Sequence, residues 1–506
     1  METDVLVVGA GPTGLVLALS LARQGAKVRV VDRAERPGTT SRALAVQART
    51  LELYRQLGLT DEIVAEGHHT PAVNLWVRGS RVGRISLAQM GEGLTPYPFL
   101  HIFPQDRHER LLEERLEAEG VRVERNTEVM SVDDHGDRIV ARLAEAGGAE
   151  RTTESAWIAG CDGARSIVRH AIGASFQGGT YRQVFYVADA EVAGPTANGE
   201  LHVDLDEADF LAVFPLDGAG RVRLIGTVRD DRADHPETLC FEDVGQRAID
   251  HMKVQVQKIN WFSTYHVHHR VTDRFRRGRA FLLGDAAHIH SPAGGQGMNT
   301  GIGDAMNLAW KLAEVIHGRA PERILDSYEP ERIGFARRLV QTTDRVFSFA
   351  TAEGLIADVL RTRLTPIVAP LLTASDRARD YLFRTISQIT LNYRGCPLSR
   401  GEAGKVRGGD RLPWVPVGES DNFRGLDHIG WQVHVYGKPA VGLPAWCESR
   451  KIPLHCFDWT EAYGAAGLAQ NALYLLRPDT YVGLADPAGS VAGVDAYCND
   501  LGLILG

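Results

Sequence analysis

The chain opens on an apolar run, Asp4-Val5-Leu6-Val7-Val8, closed by a glycine. A run this short and continuous predicts a buried strand. The turn Gly9-Ala10-Gly11-Pro12-Thr13-Gly14 follows, and Leu15 to Gln24 then carry apolar residues at helical spacing, ended by Gly25. Lys27 to Val31 predicts a second strand, and parallel pairing of the two strands needs the helix as crossover. A helix with charged faces is predicted over 104–119. Short alternating strands around polar turns fill 121–160, including the turn Asp133-Asp134-His135-Gly136. From 175 to 267 the pattern turns to aromatic-rich β segments: Val184–Val192, Phe210–Phe214, Val222–Val228 and Trp261–Val267. A buried strand is predicted at Phe281–Leu283, a helix from about Asn299, and helical sequence over 303–394. Residues 395–416, rich in Gly, Arg and Pro, read as a linker. A last α/β segment occupies 417–506. The organisation is therefore a discontinuous unit of 1–174 and 268–394, an inserted β-rich unit of 175–267, and a C-terminal unit.

Composition narrows what such a chain does. Its 506 residues exceed one core, and 44 % apolar with 24 % charged residues is ordinary for a globular enzyme. The 56 Lys and Arg against 64 Asp and Glu give a net charge of −8, without a basic stripe, which argues against nucleic acid as partner. No apolar run is long enough to span a bilayer, and no leader is readable, so a cytoplasmic protein is expected. Six cysteines form no CxxC pair and no zinc spacing, as reduced thiols would.

Candidate chemistry sits in two places. Gly9-x-Gly11-x-x-Gly14 follows a strand and opens a helix, the context a dinucleotide turn needs. Gly9 allows the tight turn, Gly11 lets backbone approach a pyrophosphate, and Gly14 lets helix and strand pack closely. Asp32 ends the second strand where a carboxylate would accept from a ribose. Far downstream stands Arg279 to His288, with Gly284-Asp285 at its centre, then Pro292-Ala293-Gly294-Gly295-Gln296-Gly297-Met298-Asn299. Flexible backbone ahead of a helix leaves N–H groups at its N-terminus, a site suited to an anion. His288 and His290 lack a third ligand nearby, so no metal is expected.

In order and spacing, three motifs resemble the class A flavoprotein aromatic hydroxylases, the para-hydroxybenzoate hydroxylase-like group, and within it the bacterial phenol and polyketide hydroxylases. They are Gly9–Gly14 with Asp32-Arg33; Cys161-Asp162-Gly163-Ala164-Arg165-Ser166; and Gly284-Asp285 through Asn299. Gly303 to Leu312 and Tyr328-Glu329-Pro330-Glu331-Arg332 also match the family's pattern. The resemblance implies an α/β fold: a Rossmann-like FAD-binding domain with an inserted β-sheet substrate domain, a helical segment and a C-terminal thioredoxin-like domain, here without CxxC. It implies FAD held by Gly9, Gly11, Pro12, Thr13 and Gly14, with Asp32 and Arg33 at the adenosine end and Arg42 near the pyrophosphate. Gln105 would also reach the FAD, Val129 would meet the adenine through its backbone, and Asp162 would serve FAD and nicotinamide. Asp285 would bind the ribityl or pyrophosphate region, Gly284 and Pro292 would also hold the cofactor, and Gly297, Met298 and Asn299 would offer N–H groups to the isoalloxazine.

The implied activity is an NADPH- or NADH-reduced, O2-consuming monooxygenase that hydroxylates an aromatic or polyketide-type molecule through a flavin C4a-hydroperoxide. Baeyer–Villiger oxygenation, epoxidation, and a non-catalytic FAD protein that sequesters an aromatic ligand are the competing readings. Arg42 also reads as a surface cation, Gln105 as a helix start, and Asp162 as a helix cap. Phe210, Phe214, Trp261 and Tyr265 are candidate substrate contacts or, equally, sheet core. No catalytic side chain is singled out, and a homodimer is left open.

Overall fold

The computed structural model describes residues 2–38, 43–87, 90–204, 210–218, 220–228, 239–244, 246–291, 295–351, 376–418 and 420–506. Val5–Val8 lies at the centre of a six-stranded sheet, flanked in parallel by Val28–Val31 on one side and Trp157–Gly160 on the other. All four of its residues are buried, so each face must be covered, and helix Pro12–Arg23 covers one of them. Ala280–Leu282 extends the sheet beside Trp157–Gly160, so residues far apart in the chain become neighbours of the first strand. The helix predicted over 104–119 spans Gln105–Ala118. The polar turns of 121–160 belong to a three-stranded antiparallel sheet, Glu128–Asp134, Ile139–Ala144 and Glu150–Ser155.

The aromatic-rich middle forms an eight-stranded sheet around two 18-residue strands, Phe176–Ala193 and Gln255–Thr272. Its boundaries differ from 175–267. Ala72–Val77 and Ser80–Ser86 join one edge, through parallel pairing of Ala72–Val77 with Leu201–Asp204, and His288–Ile289 joins the other. Local alternation marks a strand but not a parallel partner more than a hundred residues away, so the sequence reading kept 72–86 within the 1–174 unit and named no strand there.

The stretch read as a linker is also corrected. Arg400–Ala403 and Val406–Arg407 form a hairpin, and Arg400–Ala403 pairs in parallel with Val482–Asp486 of the C-terminal sheet. Gly401, Gly404, Gly408 and Gly409 serve close approach rather than looseness: a Cβ at Gly408 would stand 2.2 Å from the Arg400 backbone nitrogen. Downstream, Leu473–Leu476 and Val482–Asp486 pair as neighbouring antiparallel strands.

The helical region contains Gly297–Ile316, Tyr328–Thr351 and Asp376–Ile386. Of the helix Gly297–Ile316, 15 residues are buried, and the C-terminal unit shares its core: Trp310 meets Trp431 edge to face, ring centres 5.5 Å apart. A charged joint reinforces the contact. Glu331 accepts from Arg477 at 2.7 and 2.9 Å, from Lys311 at 2.7 Å and from Asn307 at 2.7 Å, all buried.

Candidate functional site

The glycine turn is built as its spacing predicts. Gly9 has φ 103°, and a Cβ there would fall 2.4 Å from the Cys161 carbonyl oxygen; one at Gly14 would fall 2.0 Å from the Gly9 carbonyl oxygen. Gly11 is different: nothing stands within 4 Å of its Cβ position. Two of the glycines therefore serve the fold, and the third leaves open space in front of the helix. Pro12 starts that helix, where its missing N–H costs nothing.

Thr13 is where the remote segments meet. Its Oγ1 lies 2.8 Å from the Cβ position of Gly284 and 2.2 Å from that of Gly301, which also approaches Gly284 Cα at 3.2 Å. The turn 9–14, the turn at Gly284 and the first turns of helix Gly297–Ile316 thus converge on one groove. That 20-residue helix has no side-chain cap, so its leading N–H groups at Gly297, Met298 and Asn299 keep their partial positive charge. The Asn299 side chain is committed elsewhere. Its oxygen accepts from Gln47 N at 2.9 Å and Thr50 Oγ1 at 2.7 Å, and its amide donates to the Ala45 and Gly295 carbonyls at 2.9 Å each. It ties the helix start to the segment that follows residue 43.

Asp32 stands beside the turn, its carboxylate accepting from Ala10 N at 2.6 Å and Ala34 N at 2.7 Å, with Arg33 exposed next to it. Gln105 donates to Glu109 at 2.6 Å, and its own backbone N–H bonds the Ala43 carbonyl. Burial raises the pKa of Glu109. Val129 is buried in Glu128–Asp134, the edge strand of its sheet. Asp162 accepts from Ile167 N at 2.7 Å, while the N-cap of helix Ile167–Ala171 is Ser166, whose hydroxyl accepts from Arg169 N at 3.0 Å. The other Asp162 oxygen, Oδ1, is buried without a partner, and burial raises the carboxyl's pKa. Asp285 is exposed on the Gly284–Ala286 turn. Arg42 and Pro292 lie outside the described residues.

The groove fits FAD on these observations: open space over Gly11 for a pyrophosphate, an uncapped helix start for the electron-rich edge of a flavin, and an unsatisfied buried oxygen on Asp162.

Behind the groove runs a network that sequence reasoning passed over. Asp304 accepts from His288 Nε2 at 2.7 Å, Gly284 N at 3.0 Å and Arg332 Nε at 2.6 Å, and Arg332 donates to the Thr300 carbonyl at 3.0 Å. It fixes the Gly284 turn against the helix. Arg332 above all holds the Asp304 carboxyl below its ordinary value, against the opposing effect of burial. The signal was legible: Asp304, Asn307 and Lys311 stand at helical spacing on an otherwise apolar helix. His290 donates from Nδ1 to the Ser291 carbonyl at 2.8 Å, and burial lowers its pKa to about 4.

Phe210, Phe214, Trp261 and Tyr265 come together on one face of the eight-stranded sheet. Val184, Tyr186, Ala188 and Ala190 pack into a core on the opposite face. Phe214 stands opposite Arg223, Arg223 opposite Asp189, and Asp189 opposite Trp261, a row across four strands. Tyr265 is opposite Phe185, and Phe210 joins that pair in a cluster. All four candidates are half-buried, as a wall over a cavity would be. The row faces the groove: Phe214 packs on Leu44, Ala45 and Ile102, and buried Arg223, paired with Asp189 at 2.6 and 2.8 Å, reaches the Ala43 carbonyl at 3.5 Å.

Residues 2–343 match the family model for the FAD binding domain. The chain is 37 % identical over 414 residues to 6-methylpretetramide 4-monooxygenase of Streptomyces rimosus, covering 80 % of this chain and 72 % of that protein. It is 31 % identical to a flavin-dependent monooxygenase of Mycobacteroides abscessus, covering 96 % and 97 %. Among solved structures, the OxyS anhydrotetracycline hydroxylase from Streptomyces rimosus superposes with a TM-score of 0.80 at 28 % identity, over 100 % of both chains. The chain belongs to the FAD binding domain family and is an FAD-dependent monooxygenase within it.

Proposed function

We propose that this enzyme hydroxylates an electron-rich ring of an aromatic, polyketide-type small molecule, with O2 and NADPH or NADH as co-substrates. The carrying observation is the half-buried aromatic row from Phe214 to Trp261, facing the groove that ends at the helix start Gly297. Two relatives from Streptomyces rimosus, one named as a 6-methylpretetramide 4-monooxygenase and the other as an anhydrotetracycline hydroxylase, point the same way. FAD, when bound, accepts hydride from the nicotinamide and activates O2. The protein positions and shields that chemistry.

In this reading Gly9, Gly11, Pro12, Thr13 and Gly14 carry the pyrophosphate, and Asp32 and Arg33 the adenosine end, with Gln105, Val129 and Asp162 along the same groove. Gly284 and Asp285 take the ribityl side. The N–H groups of Gly297, Met298 and Asn299 favour negative charge on the ring system's pyrimidine edge. Phe210, Phe214, Trp261 and Tyr265 form the substrate wall, and water is excluded by the sheet above them. We read 417–506 as a thioredoxin-like scaffold without redox work: it has no CxxC, and burial raises all three of its thiols, Cys447 to about 11, Cys498 to about 12, and exposed Cys456 as well. A cytoplasmic location accords with six free cysteines and with the lack, among the described residues, of any helix able to cross a membrane.

Purified protein should be yellow. A phenolic polycyclic substrate should accelerate NADPH or NADH oxidation with O2 uptake and leave a product bearing a new ring hydroxyl by NMR. A colourless protein that takes up no added FAD refutes the proposal, and an inserted ester oxygen in the product replaces hydroxylation by Baeyer–Villiger chemistry. Phe214→Ala should weaken substrate binding about tenfold, from the apolar area lost, with FAD content unchanged. Flavin fluorescence titration measures the first and the visible spectrum the second.

A further inference from the structure

A small cavity, with room for one small occupant, lies among helices Ala48–Tyr54 and Gly297–Ile316 and the C-terminal unit. Arg49, Arg332, Asp479, Asn299, Tyr393 and Tyr481 line it, all buried. Its one lining carboxylate is already taken, since Asp479 accepts from Arg477 at 2.6 and 3.0 Å. Arg332 is paired with Asp304. Arg49 must share Glu52 with Arg411: Glu52 accepts from Arg49 NH1 at 3.0 Å and from Arg411 at 2.5 and 2.8 Å.

The groups joined by these contacts do not balance. Arg49, Arg332, Arg477 and Lys311, with part-buried Arg411, are five cations against the four carboxylates Glu52, Asp304, Glu331 and Asp479, and Asp304 is further shared with His288. Burial lowers the Lys311 pKa to about 8, and its Nζ donates to both Glu331 and Asn307. An uncompensated interior charge is costly. Donors are available too. Arg49 Nε is buried with no hydrogen-bond partner, and the Tyr393 oxygen accepts from Arg332 NH1 at 3.0 Å, which leaves its own hydrogen to give.

We propose that this cavity binds one chloride ion, held by the Arg49 guanidinium and the Tyr393 hydroxyl, that fastens the C-terminal unit to the helix beginning at Gly297. A single small monovalent anion supplies the missing charge and accepts both hydrogens. Phosphate and sulfate are too large and carry too much charge.

The test uses the full-length, FAD-loaded enzyme and two readouts. Crystals soaked in sodium bromide should show an anomalous peak in the cavity, in contact with Arg49 Nε and Tyr393. Melting temperature should rise by about 2 °C, saturably, when sodium chloride replaces sodium gluconate at equal ionic strength. Tyr393→Phe should lose at least half of that rise. Equal melting temperatures in the two salts overturn the proposal. So does a bromide-free cavity holding a water, or a chloride effect undiminished in Tyr393→Phe. The first two results need no variant, so a poorly folding Tyr393→Phe leaves the proposal testable.

Discussion

Gly11→Ala is expected to yield a folded apoprotein of ordinary stability that no longer holds FAD well. The protein around Gly11 leaves its Cβ position empty to 4 Å, and its φ of −76° is open to any residue. A methyl group there strains nothing in the chain alone. It occupies the space through which a pyrophosphate must approach the helix start. We expect FAD affinity to fall at least tenfold, about 1.4 kcal/mol, with the apoprotein melting temperature unchanged. Gly14→Ala should do the reverse. Its Cβ would sit 2.0 Å from the Gly9 carbonyl oxygen, a backbone atom that cannot step aside. Overpacking of that kind costs about 3 kcal/mol, and the loss should appear in the apoprotein before any cofactor is added. Denaturant melts of both apoproteins, beside FAD titrations, separate the two roles. If Gly11→Ala bound FAD like the parent, the pyrophosphate would lie elsewhere.

What the chain declares in advance is the part whose cause is local. The strand Val5–Val8, the turn and the helix after it are contiguous, and each residue's role there is fixed by its immediate neighbours. Asp32 could be singled out because it ends the strand that follows such a turn, and Gly284 because it follows the apolar run Phe281–Leu283. The aromatic face was half legible: Trp261 and Tyr265 stand at alternating positions of one strand, and Phe214 lies in another, with Phe210 just ahead of it. Only the register, Phe214 to Arg223 to Asp189 to Trp261, shows that they share a face and that an ion pair divides them. The pairing of Ala72–Val77 went unread because its parallel partner, Leu201–Asp204, lies more than a hundred residues away. The linker was misread for a related reason. Gly401 and Gly408 look like looseness in one dimension, yet a Cβ at either would collide with backbone about 2.2 Å away. The buried ionic joint was invisible as a joint, since nothing in the sequence says that Lys311, Glu331 and Arg477 meet.

That joint carries the other large expected effect. Glu331→Gln should destabilise the enzyme by about 3–5 kcal/mol, because it removes the carboxylate shared by Arg477 and Lys311 in a site closed to water. The pH dependence has a definite sign. Although burial opposes ionisation, Arg477 and Lys311 hold the Glu331 carboxyl at about 2, below its ordinary 4.5. Its contribution is therefore complete above about pH 4.5 and disappears as pH falls toward 2. The parent should lose stability across that acidic window, and the variant, having nothing there to protonate, should lose less. On the alkaline side Lys311 decides. Its folded value of about 8 lies below its ordinary 10.5, so stability from this group rises with pH between the two. Without Glu331 the lysine sheds its proton sooner, and the deficit of Glu331→Gln should shrink from pH 7 to pH 9.5. Equilibrium unfolding at pH 4, 7 and 9.5 measures all three points. A deficit that stayed constant across them would mean that the charge on Glu331 has no part in holding the C-terminal unit to the flavin side.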